Sequence, residues 1–162
     1  MMKYWRVFFA FVLALAVLFH PLSAEAANKR VAGKRAVANK DFSNKTLIAS
    51  EFTKLNLENS NFSNSDLRGA VFNGSTLAGA NLHGADLSDG IAYLVDFKGA
   101  DLSDANLTEA MMLYSTFDDV DITGADFTDA VLDGFQIKKL CAVASGVNSK
   151  TGISTRKSLE CD

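Results

Sequence analysis

The sequence has few of the residues on which most small enzymes and metal proteins depend. Its 162 residues include two His, two Cys, one Pro and one Trp. So few His and Cys exclude a zinc finger or a multi-histidine metal site. Pro21 and Trp5 both lie in the first 25 residues, so the remainder of the chain has neither. In a compact fold, this composition favours a regular, repeated core.

The N-terminus carries a short hydrophobic run. Val7 to Phe19 is an unbroken stretch of 13 apolar residues, preceded by Lys3 and Arg6 and followed by small residues around Glu25. This arrangement predicts a secretory signal peptide over residues 1–26. A membrane anchor is the alternative, but 13 residues fall short of the roughly 20 that span a bilayer. We therefore expect membrane contact only during export.

Charge is distributed unevenly along the rest of the chain. Residues 27–40 hold five cations and no acid, residues 41–137 hold 16 acids against four cations, and residues 138–162 have a net charge of +3. The acidic middle of the chain excludes a basic nucleic-acid surface. We expect no nucleic-acid partner.

A repeat of five residues organises the middle of the chain. An apolar residue, the centre of each unit, occurs at every fifth position from Phe42 to Ile137, twenty times without a gap, and sixteen of the twenty are Leu or Phe. Neither a helix, with its period of 3.6, nor a strand, with its period of 2, produces this spacing. Two residues after the centre, fourteen of the twenty positions are Gly, Asn or Asp, which tolerate a positive φ. The pattern predicts a bend every five residues and a stacked interior.

The position two residues before each centre is small. It is Ala, Ser or Gly in fourteen of the twenty units. Larger residues at this position predict local bulging of the backbone. They are Leu55, Val95, Val120 and Phe135.

The repeated units resemble a known family. Segments 80–84, 85–89 and 125–129, which read ANLHG, ADLSD and ADFTD, are similar to the A(D/N)LXX unit of the pentapeptide-repeat family, and the resemblance covers residues 40–139. It implies an all-β fold, a right-handed quadrilateral β-helix with four units per coil, about five coils, and short helical or loop caps at the ends. Centres twenty residues apart, such as Leu82, Leu102 and Ile122, are then expected to stack.

The two ends of such a β-helix expose strand edges that need covers. We expect residues 27–39 to form a basic N-terminal cap and residues 140–162 to form a C-terminal cap closed by a disulfide. Cys141 and Cys161 bracket nineteen residues, and export favours their pairing; a redox-active pair is the alternative. The segment between them is similar to the tail of thylakoid-lumen pentapeptide proteins of cyanobacteria and chloroplasts. With the signal peptide, this implies the thylakoid lumen or the periplasm.

One face of the predicted β-helix is apolar on its outside. The residue before the centre is polar on three faces, but on the fourth, the face centred on residues 52, 72, 92, 112 and 132, it is mostly apolar. A contiguous exposed patch tends to mark a contact site. A covering terminal segment, or a preference of β-branched residues for sheets, is the alternative. The predicted partner surface, called the apolar face below, consists of Val71, Ile91, Tyr93, Leu94, Met111, Leu113, Tyr114 and Val131.

These observations predict a non-catalytic exported scaffold without a cofactor, a metal or catalytic residues. His83 has no nucleophile or oxyanion device beside it in the pattern, and solubility accounts for the excess of acidic residues in the range 41–137. We expect an unidentified protein partner, with self-association through the apolar face as the alternative. Two other functions stay open: a redox-responsive protein or enzyme using Cys141 and Cys161, and a DNA mimic that binds topoisomerase, which the export signal disfavours.

Overall fold

The backbone bends at every fifth residue. The structure, a computed structural model, describes residues 37–161. The φ angle is positive, between 51° and 73°, at every fifth position from Asn39 to Asp129. These are the positions two residues after the apolar centres, so the predicted bend is confirmed. In most units the carbonyl of the centre accepts a hydrogen bond from the residue three positions on, as Leu77 does from Ala80 at 2.9 Å, which is the geometry of a tight turn.

The bends stack the chain in register with itself. Parallel β-bridges join residues twenty apart, from Asp41 with Asn61 up to Met111 with Val131. One coil therefore takes four units and has four faces. Most units donate several backbone hydrogen bonds to their neighbouring coils; Phe62 N–H, for example, donates to Asn81 O at 2.7 Å. Each strand is a single bridged residue, because the chain bends both before and after it.

The apolar centres fill the interior. Leu82 and Leu102 are fully buried and Ile122 is 2% exposed, and the bridges beside them place the three in one stack. Aromatic centres one coil apart lie ring on ring, with centroids 4.8 Å apart for Phe42 and Phe62. This distance is close to the usual spacing of about 4.8 Å between strands.

Serine hydroxyls open some of the turns. The hydroxyl of Ser115 donates to Ala92 O and accepts from the N–H of Val95. In most other turns the corresponding carbonyl and N–H bond each other directly, whereas here the hydroxyl lies between them. Ser75 does the same between residues 52 and 55. Leu55 and Val95, which the sequence predicts to bulge the backbone, end two of these open turns. A third ends at Lys40, where the Ser60 hydroxyl donates to Val37 O and accepts from Lys40 N–H.

The repeat begins earlier than predicted. Val37 N–H donates to Asn56 O at 3.0 Å and Asn39 N–H to Glu58 O at 2.9 Å, so residues 37–39 belong to the β-helix and the predicted cap over residues 27–39 is wrong at its end. The remainder of that cap and the signal peptide of residues 1–26 lie outside the described residues.

The repeat also ends earlier than predicted, at a helix rather than at residue 139. Helix α1 spans Gly134–Cys141. The Asp133 side chain accepts from Gln136 N–H at its start, as a good N-cap does, and Lys138 and Lys139 favour its C-terminal end. Ile137 therefore does not stack as a twentieth centre, and Phe135 is 73% exposed instead of filling an inward position.

The segment after α1 covers the edge of the last coil. A short helix, α2, spans Thr155–Ser158. Ser145 O accepts from Gly124 N–H at 2.8 Å and Ser158 Oγ accepts from Phe127 N–H at 3.0 Å, where a further coil would otherwise supply the acceptors. Leu140, Ala144 and Leu159 are buried against the same core.

Candidate functional site

Four residues of the apolar face form a continuous column on one side of the β-helix. Bridges join Val71 to Ile91, Ile91 to Met111 and Met111 to Val131, so the four side chains project from successive coils. Met111 is 43% and Val131 45% exposed, whereas Val71 and Ile91 are half-buried. The structure thus brings together residues that are sixty positions apart in the sequence.

A second column widens this surface along the next corner. Tyr93 is 39%, Leu94 55% and Tyr114 61% exposed, and Leu113 is half-buried. The rings of Tyr93 and Tyr114 meet edge to face with centroids 5.5 Å apart, a favourable geometry for an aromatic pair. All eight predicted residues lie on this side of the molecule.

Two of these residues stand in an unfavourable backbone conformation. Leu94 has φ 57° and Tyr114 has φ 59°. At the same corner the coils below carry Lys54 and Gly74. A bulky side chain with positive φ is a genuine outlier, and such a residue costs about 1–3 kcal/mol unless its surroundings require it. A preference of β-branched residues for sheets does not explain a Leu and a Tyr placed at bends.

A column of carboxylates, called the acidic corner below, borders the apolar face. Asp89, Glu109 and Asp129 occupy the bend just before Ile91, Met111 and Val131, and all three are exposed. The ion pairs found among residues 37–161 are Arg68 with Asp66 and Lys139 with Asp118, so neither neutralises this column. Like charges opposite each other in a sheet destabilise it.

The C-terminal segment covers a different side of the β-helix. The Asn148 side-chain amide donates to the carbonyls of Asp104, Ala105 and Gly124, and Lys150 Nζ donates to Gly84 O. The alternative that this segment covers the apolar face is therefore wrong for the described part of the chain. Sequence reasoning missed Asn148, because an Asn in a polar loop looks like any turn residue until its distant acceptors are known.

His83 takes part in a hydrogen-bond chain without a nucleophile. Its Nδ1 lies 2.8 Å from Ser103 Oγ, and that hydroxyl donates its proton to Asp101 Oδ1. The serine hydroxyl thus points to a carboxylate rather than to the imidazole, unlike the arrangement of a hydrolase triad. Among residues 37–161 there is no group of three or more His, Cys, Asp or Glu side chains placed to hold a metal ion.

The two cysteines lie at the end of the molecule that the tail covers. Cys141 and Cys161 are joined by a disulfide, with their Cα atoms 5.6 Å apart. Both are half-buried and line an open cavity of about 390 Å³ together with Ile137, Lys138 and Glu160. The disulfide is therefore reachable from solvent, and it ties the end of α1 to the C-terminus.

The chain matches a known family over more than half its length. The family model for pentapeptide repeats matches eight copies over residues 41–89 and 94–134. A search of curated protein sequences found no match. Within the described residues no helix is long and apolar enough to cross a membrane.

The comparison with solved structures found further pentapeptide repeat proteins. A pentapeptide repeat protein from the thylakoid lumen of Arabidopsis thaliana is 41% identical, with 78% of this chain and 88% of that one covered and a TM-score of 0.77. A pentapeptide repeat protein from Nostoc is 25% identical, with coverage of 72% and 89% and a TM-score of 0.36. Another, from the cyanobacterium Cyanothece, is 18% identical, with coverage of 68% and 100% and a TM-score of 0.30.

Proposed function

Because the chain belongs to the pentapeptide-repeat family, and so forms a right-handed β-helix, we propose that it is a non-catalytic exported scaffold that binds a protein through its apolar face. The similar protein from the thylakoid lumen supports an exported location, in the lumen or the periplasm. We also infer about five coils, since the bridged positions extend from Asp41 to Val131, with a C-terminal cap held by the disulfide.

The backbone strain at Leu94 and Tyr114 carries this proposal. Of the nineteen residues at the bends from Asn39 to Asp129, most are Gly, Asn or Asp. Two large apolar residues replace these types on neighbouring coils of one face, and both are more than half exposed. The interior gains little from side chains that point into water. Binding to a partner explains their presence, because it would bury them.

The decisive experiment replaces both strained residues with one that suits a positive φ. In Leu94→Asn with Tyr114→Asn, we expect the free energy of unfolding to be unchanged or to rise by up to about 1 kcal/mol per site, since Asn tolerates this conformation. We expect the partner captured by the wild-type protein from the exported fraction of its cells to be lost. Denaturant unfolding and affinity capture measure the two effects.

Lys54→Asn is the matched control, because Lys54 lies at the same corner with φ 55° but below the apolar face. It should gain stability in the same way and keep the partner. If the double variant still captures the same protein, the apolar face is not the docking surface.

The disulfide favours a second function, a redox response. Cys141 and Cys161 line an open cavity, so a dithiol reductant can reach them. A redox function requires that reduction alter partner binding. Capture with wild-type protein before and after treatment with dithiothreitol, with thiols titrated in both samples, separates the two functions: equal capture with two titrated thiols assigns the disulfide to stability alone.

A further inference from the structure

The shape of the apolar face suits a single helix of a partner. This inference rests on the function proposed above. From Val71 to Val131 the column rises three coils, about 14 Å at the usual strand spacing. A helix of about ten residues has this length, and its diameter of about 10–12 Å suits the apolar face, which is only two columns wide.

The number of exposed side chains also indicates a small occupant. Stable globular interfaces use about 20–30 residues on each side, and the apolar face has eight. An extended strand of 14 Å is about four residues long and would direct only two side chains toward this face. A helix of the same length presents an apolar stripe of three to four residues per two turns, which fits two columns better.

The charge beside the apolar face indicates which side chains that helix carries. Asp89, Glu109 and Asp129 follow one edge and are exposed, and none of them forms an ion pair with a residue of the range 37–161. The opposite edge of the apolar face also carries a carboxylate, that of Asp96, which accepts a hydrogen bond from Thr116 Oγ1 at 2.7 Å. A second copy of this chain would add its own carboxylates to these, because residues 41–137 have a net charge of −12. A cationic partner would instead relieve the repulsion along the acidic corner.

We propose that the apolar face binds one amphipathic helix of a partner protein, with its apolar stripe on the two columns and with Lys or Arg residues flanking the stripe beside the acidic corner. The specificity then comes from charge as well as from apolar contact. An apolar helix flanked by Glu would meet the same surface with like charges.

The test uses the full chain and two synthetic peptides of 15 residues. Both carry the same stripe of Leu at helical spacing, flanked by Lys in one peptide and by Glu in the other. We expect the Lys peptide to bind at least about ten-fold more tightly in 50 mM salt, since three exposed charge contacts, each weak by itself, act together. The difference should shrink in 1 M salt, which screens such contacts. Fluorescence anisotropy measures both affinities.

Two triple variants remove the same number of charges from different places. Asp89→Asn, Glu109→Gln and Asp129→Asn together should weaken binding of the Lys peptide about ten-fold. Asp41→Asn, Asp119→Asn and Asp121→Asn remove three exposed carboxylates from other faces and should leave it within about two-fold. Leu94→Asn with Tyr114→Asn should abolish binding of the Lys peptide.

Three results would overturn the inference. Equal affinity for both peptides would remove the charge specificity, and equal weakening by both triple variants would show general attraction to an acidic protein. If neither peptide binds, the inference is wrong, and a dimer in light scattering that Leu94→Asn with Tyr114→Asn dissociates would identify the occupant as a second copy. In each case the capture experiment decides separately whether the apolar face docks a protein at all.

Discussion

At the scale of single residues, the inward Ser positions do more than fill space. Ser115 is fully buried and its hydroxyl replaces the missing turn bond between Ala92 and Val95. Ser65 occupies the same kind of position, but its hydroxyl donates within its own unit, to Phe62 O at 2.6 Å, a carbonyl that also accepts from Ser65 N–H. The same residue type is therefore structural in one coil and replaceable in another.

This difference predicts unequal effects of the same substitution. Ser115→Ala leaves a buried N–H and a buried carbonyl without their shared partner, and we expect the free energy of unfolding to fall by about 1–3 kcal/mol. Ser65→Ala should change it by less than about 0.5 kcal/mol. Urea unfolding of the two variants measures both, and equal losses would contradict the role given to the Ser115 hydroxyl.

At the scale of elements, the C-terminal segment acts as the cover of the last coil. It supplies acceptors for Gly124 and Phe127, buries Leu140 and Leu159 and is held at both ends by the disulfide. An uncovered edge would offer unpaired backbone groups to another chain. The tail therefore limits the β-helix at this end as well as stabilising it.

The disulfide is expected to contribute measurably to this cover. Cys141→Ser with Cys161→Ser should lower the free energy of unfolding by about 3 kcal/mol, because the bond closes a loop of twenty residues in the unfolded chain. Guanidinium unfolding provides the measurement. Hydrogen exchange should also be faster at the amides of Gly124 and Phe127 in the variant, while Leu82 in the middle coils serves as the internal control. An unchanged midpoint would contradict this account.

At the scale of the whole molecule, hydrogen bonds from the repeat and from the C-terminal segment lower the pKa of several carboxyls. The backbone N–H of Thr123 and then its hydroxyl hold the pKa of Asp121 below its usual value. Burial alone would raise the pKa of Asp126, but hydrogen bonds from Thr128 and Thr151 outweigh it and the pKa is lowered. The pKa values of four further carboxyls are lowered as well; they are Asp41, Asp66, Asp104 and Asp118.

These shifts predict how stability changes with pH. A carboxyl with a lowered pKa in the folded state binds fewer protons there than in the unfolded chain, so its contribution is complete above the unfolded pKa of about 4. That contribution is lost as the pH falls through the folded pKa. We expect the melting temperature to be level from pH 7 to about 5 and to fall below about 4.

Asp126→Asn provides the matched test of the pH dependence, since its amide oxygen can still accept from Thr128 but does not titrate. The variant should lose less stability than the wild type between pH 5 and pH 2. A melting temperature that rises on acidification would show that relief of repulsion among the acids outweighs these hydrogen bonds.

The amino-acid sequence by itself determined the local geometry of this protein. Large centres at every fifth position and Gly, Asn or Asp two residues later dictate which side chains point inward and where φ is positive, because both are properties of a single unit. The departures at Leu94 and Tyr114 were visible in the same way. The grouping of the apolar face was expected only from the four units per coil that the family resemblance implies, and the bridges between residues twenty apart show this spacing.

Only the tertiary structure decided where the repeat stops and what covers it. Residues 134–138 keep the apolar spacing at Ile137, yet the Asp133 cap and the buried Leu140 favour a helix over another bend. Asn148 is bound to carbonyls that lie 24 to 44 residues away, and Ser115 to a turn on the preceding coil. Such choices depend on groups brought together by stacking, so no single unit contains the information that sets them.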